Sequence, residues 1–186
     1  MKKKSLNLNS SVEWLKAGKI LIHPTESIWG LGCDAFNEEA VTSIFKIKKR
    51  NKNKSFILLI KSLESVKNYL LDISKEDIKY LHEYWPGPYT FLIKYNEKLP
   101  EHLRNETNKI ALRVSNHLPI RSLFNSFSGF MISTSANISG QKNLQEPEEI
   151  INYFEYDEMA FYDELLGTNS SPSTIIDLET KAVIRT

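Results

Sequence analysis

Lys109-Ile110-Ala111-Leu112-Arg113-Val114-Ser115 alternates residue by residue: Ile110, Leu112 and Val114 face one way, Ala111, Arg113 and Ser115 the other. A period of two marks a strand with one face on a core, and here the opposite face carries a charge. Upstream, Phe56 to Ile60 and Tyr89 to Tyr95 read as strands; downstream, Phe130 to Ser133 reads as a short one. Lys19 to His23 reads as a buried strand stopped by Pro24, and Phe161 lies in a short strand. Ser173 to Leu178 and Ala182 to Arg185 read as closing strands around a Glu179-Thr180-Lys181 turn.

Helical signals fall between these strands. Ser10-Ser11-Val12-Glu13 fits a capping box, and Gly18 is placed to end the helix that follows. Asn37 can cap a helix running through Lys49, with Glu38 and Glu39 in its first turn. Its apolar stripe of Val41, Ile44 and Phe45 continues as Lys48, so this helix is expected to end at a cleft. Leu63 to Leu71, Ser74 to about Tyr84, Pro119 to Phe127 and Pro147 to Phe154 read as further helices, and Trp85-Pro86-Gly87-Pro88 breaks the chain. Strands and helices mix without a strict β-α-β rhythm. The expectation is an α/β fold: a twisted mixed sheet flanked by helices, one domain over residues 1–186.

Composition narrows the class. With 186 residues, 41% hydrophobic, 9 Phe, 8 Tyr and 3 Trp, the chain can bury a sizeable core, which excludes collagen-like and wholly disordered readings. Trp14, Trp29, Trp85 and the single Cys33 read as core; one cysteine forms no internal disulfide, which suits a reducing compartment. The longest aliphatic run, Phe56 to Ile60, is far short of the roughly 20 residues that span a bilayer. Lys2 to Lys4 precede polar Ser5 to Ser11 rather than an apolar signal segment, so a soluble, cytoplasmic protein without a membrane partner is expected. Net charge is only +1, but it is segregated. Lys46 to Lys61 holds seven basic residues and no acid, whereas Glu146 to Glu164 holds eight acids and no base. A positive patch of this kind collects phosphates; a solvated helix end is the plainer reading.

Four segments are too polar for packing alone. His23 to Gly32 follows a strand with hydroxyls, a carboxylate and two glycines; it is a weak phosphate-loop signal or an ordinary polar turn. Lys48 and Arg50 lie in a basic run to Lys54, able to clamp a polyphosphate or simply to favour a helix C-terminus. Ser133 to Gly140 places four hydroxyls and an amide at a strand end, where ligands of α/β sheets bind. Arg113 is either a ligand contact or a surface salt bridge. Four histidines without HxH or HExxH spacing and one cysteine argue against a protein-built metal site.

Taken in order, Pro24-Thr25-Glu26 with Gly30-Leu31-Gly32, Lys48-x-Arg50, Trp85-Pro86-Gly87-Pro88-x-Thr90, Arg113-Val114, Ser133-Thr134-Ser135-Ala136-Asn137-x-Ser139-Gly140 and Ser173-Thr174-x-x-Asp177 resemble the YrdC/Sua5 family, from about Ile20 to Arg185. The resemblance implies a positively charged concave groove and synthesis of threonylcarbamoyl-AMP. L-Threonine, bicarbonate and ATP are consumed and pyrophosphate released, for N6-threonylcarbamoyladenosine at position 37 of tRNA. It implies Mg2+ carried by ATP and a separate downstream transferase. The length points to the short form without the extra C-terminal domain. By resemblance, Lys48, Arg50, Ser135 and Asn137 are catalytic and bind ATP, flanked by Lys54 and Arg185; Thr25, Ser27, Arg113 and Ser173 surround threonine. Asn51 stands where the family usually has proline, and His23 and Ser27 where it often has tyrosine and threonine. The alternative is a non-catalytic module of this fold that binds double-stranded RNA or tRNA through the same groove. An RNA groove needs the bases but not the hydroxyl-amide cluster beside Lys-x-Arg.

Overall fold

The computed structural model describes residues 4–51, 55–138, 140–169 and 171–186. Its strands are β1 (Ser5–Leu6), β2 (Ile20–His23), β3 (Gly30–Asp34), β4 (Ile57–Leu59), β5 (Tyr89–Lys94), β6 (Lys109–Arg113), β7 (Met131–Ser135), β8 (Met159–Tyr162), β9 (Thr174–Asp177) and β10 (Val183–Arg185). They form one sheet in the order β1-β8-β2-β3-β7-β4-β6-β5-β9-β10. β2–β3, β3–β7, β7–β4, β6–β5 and β9–β10 are antiparallel, and β1–β8, β8–β2, β4–β6 and β5–β9 parallel. The sheet is mixed, as the irregular strand–helix rhythm leads one to expect.

Alternation divides the sheet's two faces. Ile20, Ile22, Leu31, Cys33, Leu58, Ile110, Leu112 and Ile132 enter one core cluster. It is completed by helices α2 (Glu38–Ile47), α3 (Leu63–Val66), α4 (Lys75–Tyr84) and α6 (Pro147–Phe154), through Val41, Ile44, Val66, Leu81 and Ile150. Leu21, Leu59 and Met131 point the other way, under α1 (Leu8–Lys16) and α5 (Leu118–Ser126). These two helices cover only part of that face. The remainder, around Ile57, Ala111, Arg113 and Ser133, is left open and becomes the floor of a cleft.

Local signals hold in most places. Asn37 caps α2 by accepting from the Ala40 amide at 2.9 Å, a contact worth about 1 kcal/mol, with Glu38 and Glu39 complementing the helix dipole. Gly18 has φ +72° after α1, a left-handed conformation that glycine adopts without strain. Elsewhere the structure corrects the sequence. The cap of α1 is Asn7, accepting from the Ser10 amide at 3.0 Å, not the Ser10 box, and Ser11 is buried within the helix. The expected helix from Leu63 to Leu71 stops at Val66 and tightens into a 3₁₀ turn, Lys67–Tyr69, because Leu70 and Leu71 pair with the backbone of Tyr95 and Lys94. α2 ends at Ile47, two residues short of Lys49, which has φ +49°. Gly30-Leu31-Gly32, read as a turn, is the buried strand β3, and β7 runs to Ser135.

Candidate active site

The open part of the sheet forms a cleft of about 420 Å3. Arg113 and Ala111 of β6, Ile57 of β4, and Ser133 and Ser135 of β7 build its floor. Thr25, Ser27, Arg50, Ser173 and Arg185 close its walls. Sequence reasoning thus places most of its candidates around one cavity. Lys48 and Asn137 do not line it but both hydrogen-bond to Ser135, which does, and Lys54 lies outside the described residues.

Lys48 is where the apolar stripe of α2 ends. Its stem is buried and its Nζ donates to the backbone oxygens of Ser135 and Asn137, each at 2.5 Å, and to Asn137 Oδ1 at 3.3 Å. Asn137 Oδ1 also accepts from Ser135 Oγ at 2.6 Å, so the lysine pins the loop that leaves β7. Burial, and secondarily the Arg50 charge, pull its pKa down to about 7, while three facing oxygens favour the ammonium. Two residues on, Arg50 turns into the cleft. Its Nη2 donates to the Ser55 carbonyl at 2.8 Å, its guanidinium lies 4.9 Å from the Phe56 ring centroid, and burial lowers its pKa.

The opposite end is built on Arg113. Its Nε donates to the Gly87 carbonyl at 3.3 Å and its Nη2 pairs with Glu26 Oε2 at 2.5 Å. Glu26 Oε1 accepts from Ser115 Oγ at 2.7 Å. Burial opposes ionisation of Glu26, but the Arg113 charge and the Ser115 hydroxyl outweigh it and hold the carboxyl below its ordinary value. Arg185 closes this end by donating to the Ser173 carbonyl at 2.9 Å; burial, then the nearby Arg113 charge, lower its pKa.

The hydroxyls differ in availability. Thr25 Oγ1 closes its own turn, donating to the Ile28 carbonyl at 2.7 Å and accepting from the Ser27 and Ile28 amides. Ser173 Oγ shares a 2.9 Å hydrogen bond with buried Thr90. Ser27 Oγ has no partner among the described residues and lines the cleft. Nor do those residues hold a group of three or more His, Cys, Asp or Glu side chains fit for a metal ion.

A guanidinium at each end of one hydroxyl-lined cleft is the geometry to set beside known proteins. The profile of the Sua5/YciO/YrdC family, described as telomere recombination, matches residues 13–186. The chain belongs to this family. A threonylcarbamoyl-AMP synthase of Saccharophagus degradans is 35% identical over 178 residues, covering 96% of this chain and 93% of the relative. Another from Buchnera aphidicola is 37% identical over 169 residues, covering 90% and 88%. The crystal structure of P. abyssi Sua5 complexed with L-threonine superposes with TM-score 0.84 at 25% identity, over 94% of this chain. The chain spans about half, 54%, of that longer Sua5 protein.

In this member of the family, sequence reasoning missed Glu26, Ser115 and His23. Glu26 stood inside the Pro-Thr-Glu motif without a role, and its ion pair joins residues far apart in the chain. Ser115 shares the alternating face of Arg113, a signal that could have found it.

Proposed function

We propose that this protein is a nucleotidyltransferase, a threonylcarbamoyl-AMP synthase that uses L-threonine, bicarbonate and ATP. The observation that carries this reading is the pair of cationic stations in one cleft, Arg50 at one end and Arg113 with Arg185 at the other. The names of the relatives and the threonine-bound Sua5 of similar fold support it. Threonine's amine and bicarbonate lose water to give a carbamate. A carbamate oxygen then bonds to the α-phosphorus of ATP, and the bond to the bridging oxygen breaks to release pyrophosphate. The nucleophile is already an anion, so no strong general base is needed. The difficulty is bringing two anions together, which positioning and charge neutralisation address.

In this reading Arg50 meets the phosphates of the nucleotide at its own end, Arg185 flanks the nucleotide where it adjoins the Arg113 end, and Lys48 holds Ser135 and Asn137 in place while lending its charge from beneath. Arg113 takes the threonine carboxylate, with Thr25, Ser27 and Ser173 around it. ATP is taken as its magnesium complex, in which the bound ion would lower the negative charge that Arg50 and Lys48 have to meet. The fold is one domain with a positively charged groove, working in the cytoplasm. The product is passed to a separate transferase for tRNA, which can itself visit the groove. The test is the mass of the quenched product. Isotope-labelled threonine should appear in an adduct carrying one AMP and one carboxyl carbon from bicarbonate; label confined to free threonine overturns the reading.

A further inference from the structure

His23 lies at the end of β2, fully buried, where the resemblance more often has tyrosine. Its register partner is Gly30 on β3, and Gly32 pairs with Ser133 on β7. β7 is two strands from β2, about 10 Å at ordinary sheet spacing, and an imidazole reaches it only by lying flat across β3. The glycines make that possible. A Cβ at Gly30 would come within 2.6 Å of His23 Cε1 and 2.7 Å of its Nε2, and one at Gly32 within 3.0 Å of Cδ2. The Gly-Leu-Gly stretch that resembled a phosphate loop is therefore a niche for this ring.

The ring's hydrogen bonds set its tautomer. Nδ1 lies 3.2 Å from the Pro24 carbonyl oxygen, which can only accept, so Nδ1 carries the hydrogen. In the neutral ring Nε2 then has only a lone pair, and Ser133 Oγ, 3.3 Å away, must donate to it. The serine's single hydrogen is thereby committed away from the cleft that Ser133 lines. We propose that Ser133 offers the cleft an acceptor and no donor and so selects for an N–H or O–H of the bound substrate, with His23 the positioning residue that holds it so. A phosphate or carboxylate oxygen is repelled there and must bind at the guanidinium ends instead. Burial pulls the His23 pKa down to about 4, which keeps the ring neutral. The same burial makes it a poor proton acceptor, so Ser133 is an oriented hydroxyl rather than an activated nucleophile.

Which substrate supplies the donor rests on the proposed reaction; the tautomer does not. Nitrogen-15 NMR of the histidine rings in the full chain at pH 7, with His23→Phe to identify the signal, should show hydrogen on Nδ1 and a bare Nε2. A His23 ring with hydrogen on Nε2 overturns the proposal, whatever the protein's activity. Ser133→Ala should raise the KM of one substrate on the order of tenfold, the loss of about one hydrogen bond. A selective rise for threonine assigns the donor to the amino acid; a rise for ATP, absent with 2′- or 3′-deoxy-ATP, assigns it to the ribose. If wild type turns over and Ser133→Ala leaves both KM values unchanged, Ser133 does not read substrate.

Discussion

Arg113 and Glu26 form a 2.5 Å ion pair whose side chains retain only 10% and 9% of their exposure. Ser115 holds the second carboxylate oxygen and the Gly87 carbonyl holds Nε, so the guanidinium reaches the cleft already oriented. Glu26→Gln leaves a buried cation without its counterion. The expected cost is about 3–5 kcal/mol of stability, read as a shift of the urea midpoint. The pH dependence has a definite sign. The folded carboxyl titrates below its ordinary value, so its contribution is complete above about pH 4.5 and is lost as pH falls through the folded pKa. Wild type should lose stability over that acid range more steeply than Glu26→Gln.

The two ends of the cleft should separate kinetically. Arg113→Ala is expected to raise the KM for threonine more than that for ATP, and Arg50→Ala the reverse, with a loss of about 2–5 kcal/mol in the use of ATP. Steady-state pyrophosphate release under each limiting substrate measures both. Equal weakening of both substrates by either variant assigns that arginine a structural role.

Lys48 gives stability an uncommon slope. Its folded pKa of about 7 lies below its ordinary value of 10.5, so between these values the unfolded chain binds more protons. Stability from this group therefore rises with pH over that range, by at most about 1.4 kcal/mol per pH unit. Urea titrations at pH 7, 8 and 9 should show the rise in wild type and its loss in Lys48→Met; parallel curves contradict it.

Strands with unbroken apolar or alternating patterns are legible from sequence: the alternation over residues 109–115 puts Ala111 and Arg113 opposite Ile110 and Leu112, on what the fold makes the open face. So was the Asn37 cap, since its contact spans three residues. β3 was not. Glycine at 30 and 32 removes half of an alternating pattern and mimics a turn, because the side chain that fills the space belongs to His23 on the next strand. The Lys48 contact with Ser135 and the Glu26 contact with Arg113 each join residues 87 apart, beyond any local periodicity. For Lys48 the only local trace was a charge where an apolar residue should stand.

The end of the cleft proposed to take threonine should read a hydroxyl rather than a shape. Ser27 Oγ has no partner among the described residues, and a site built to pair with a substrate hydroxyl rejects an analogue that lacks one. Serine should be used better than valine by at least about tenfold, or about 1.4 kcal/mol, although valine matches threonine in outline. Competition assays at equal concentrations decide it, and valine equal to serine removes the hydroxyl-reading pocket.

Threonylcarbamoyl-AMP synthesis is tested most directly by pyrophosphate released from Mg-ATP by the purified chain, with threonine and bicarbonate supplied together and each withheld in turn. Release should require both and fall to background when either is absent. Release independent of threonine, or none under full conditions while the folded protein binds double-stranded RNA, would contradict it.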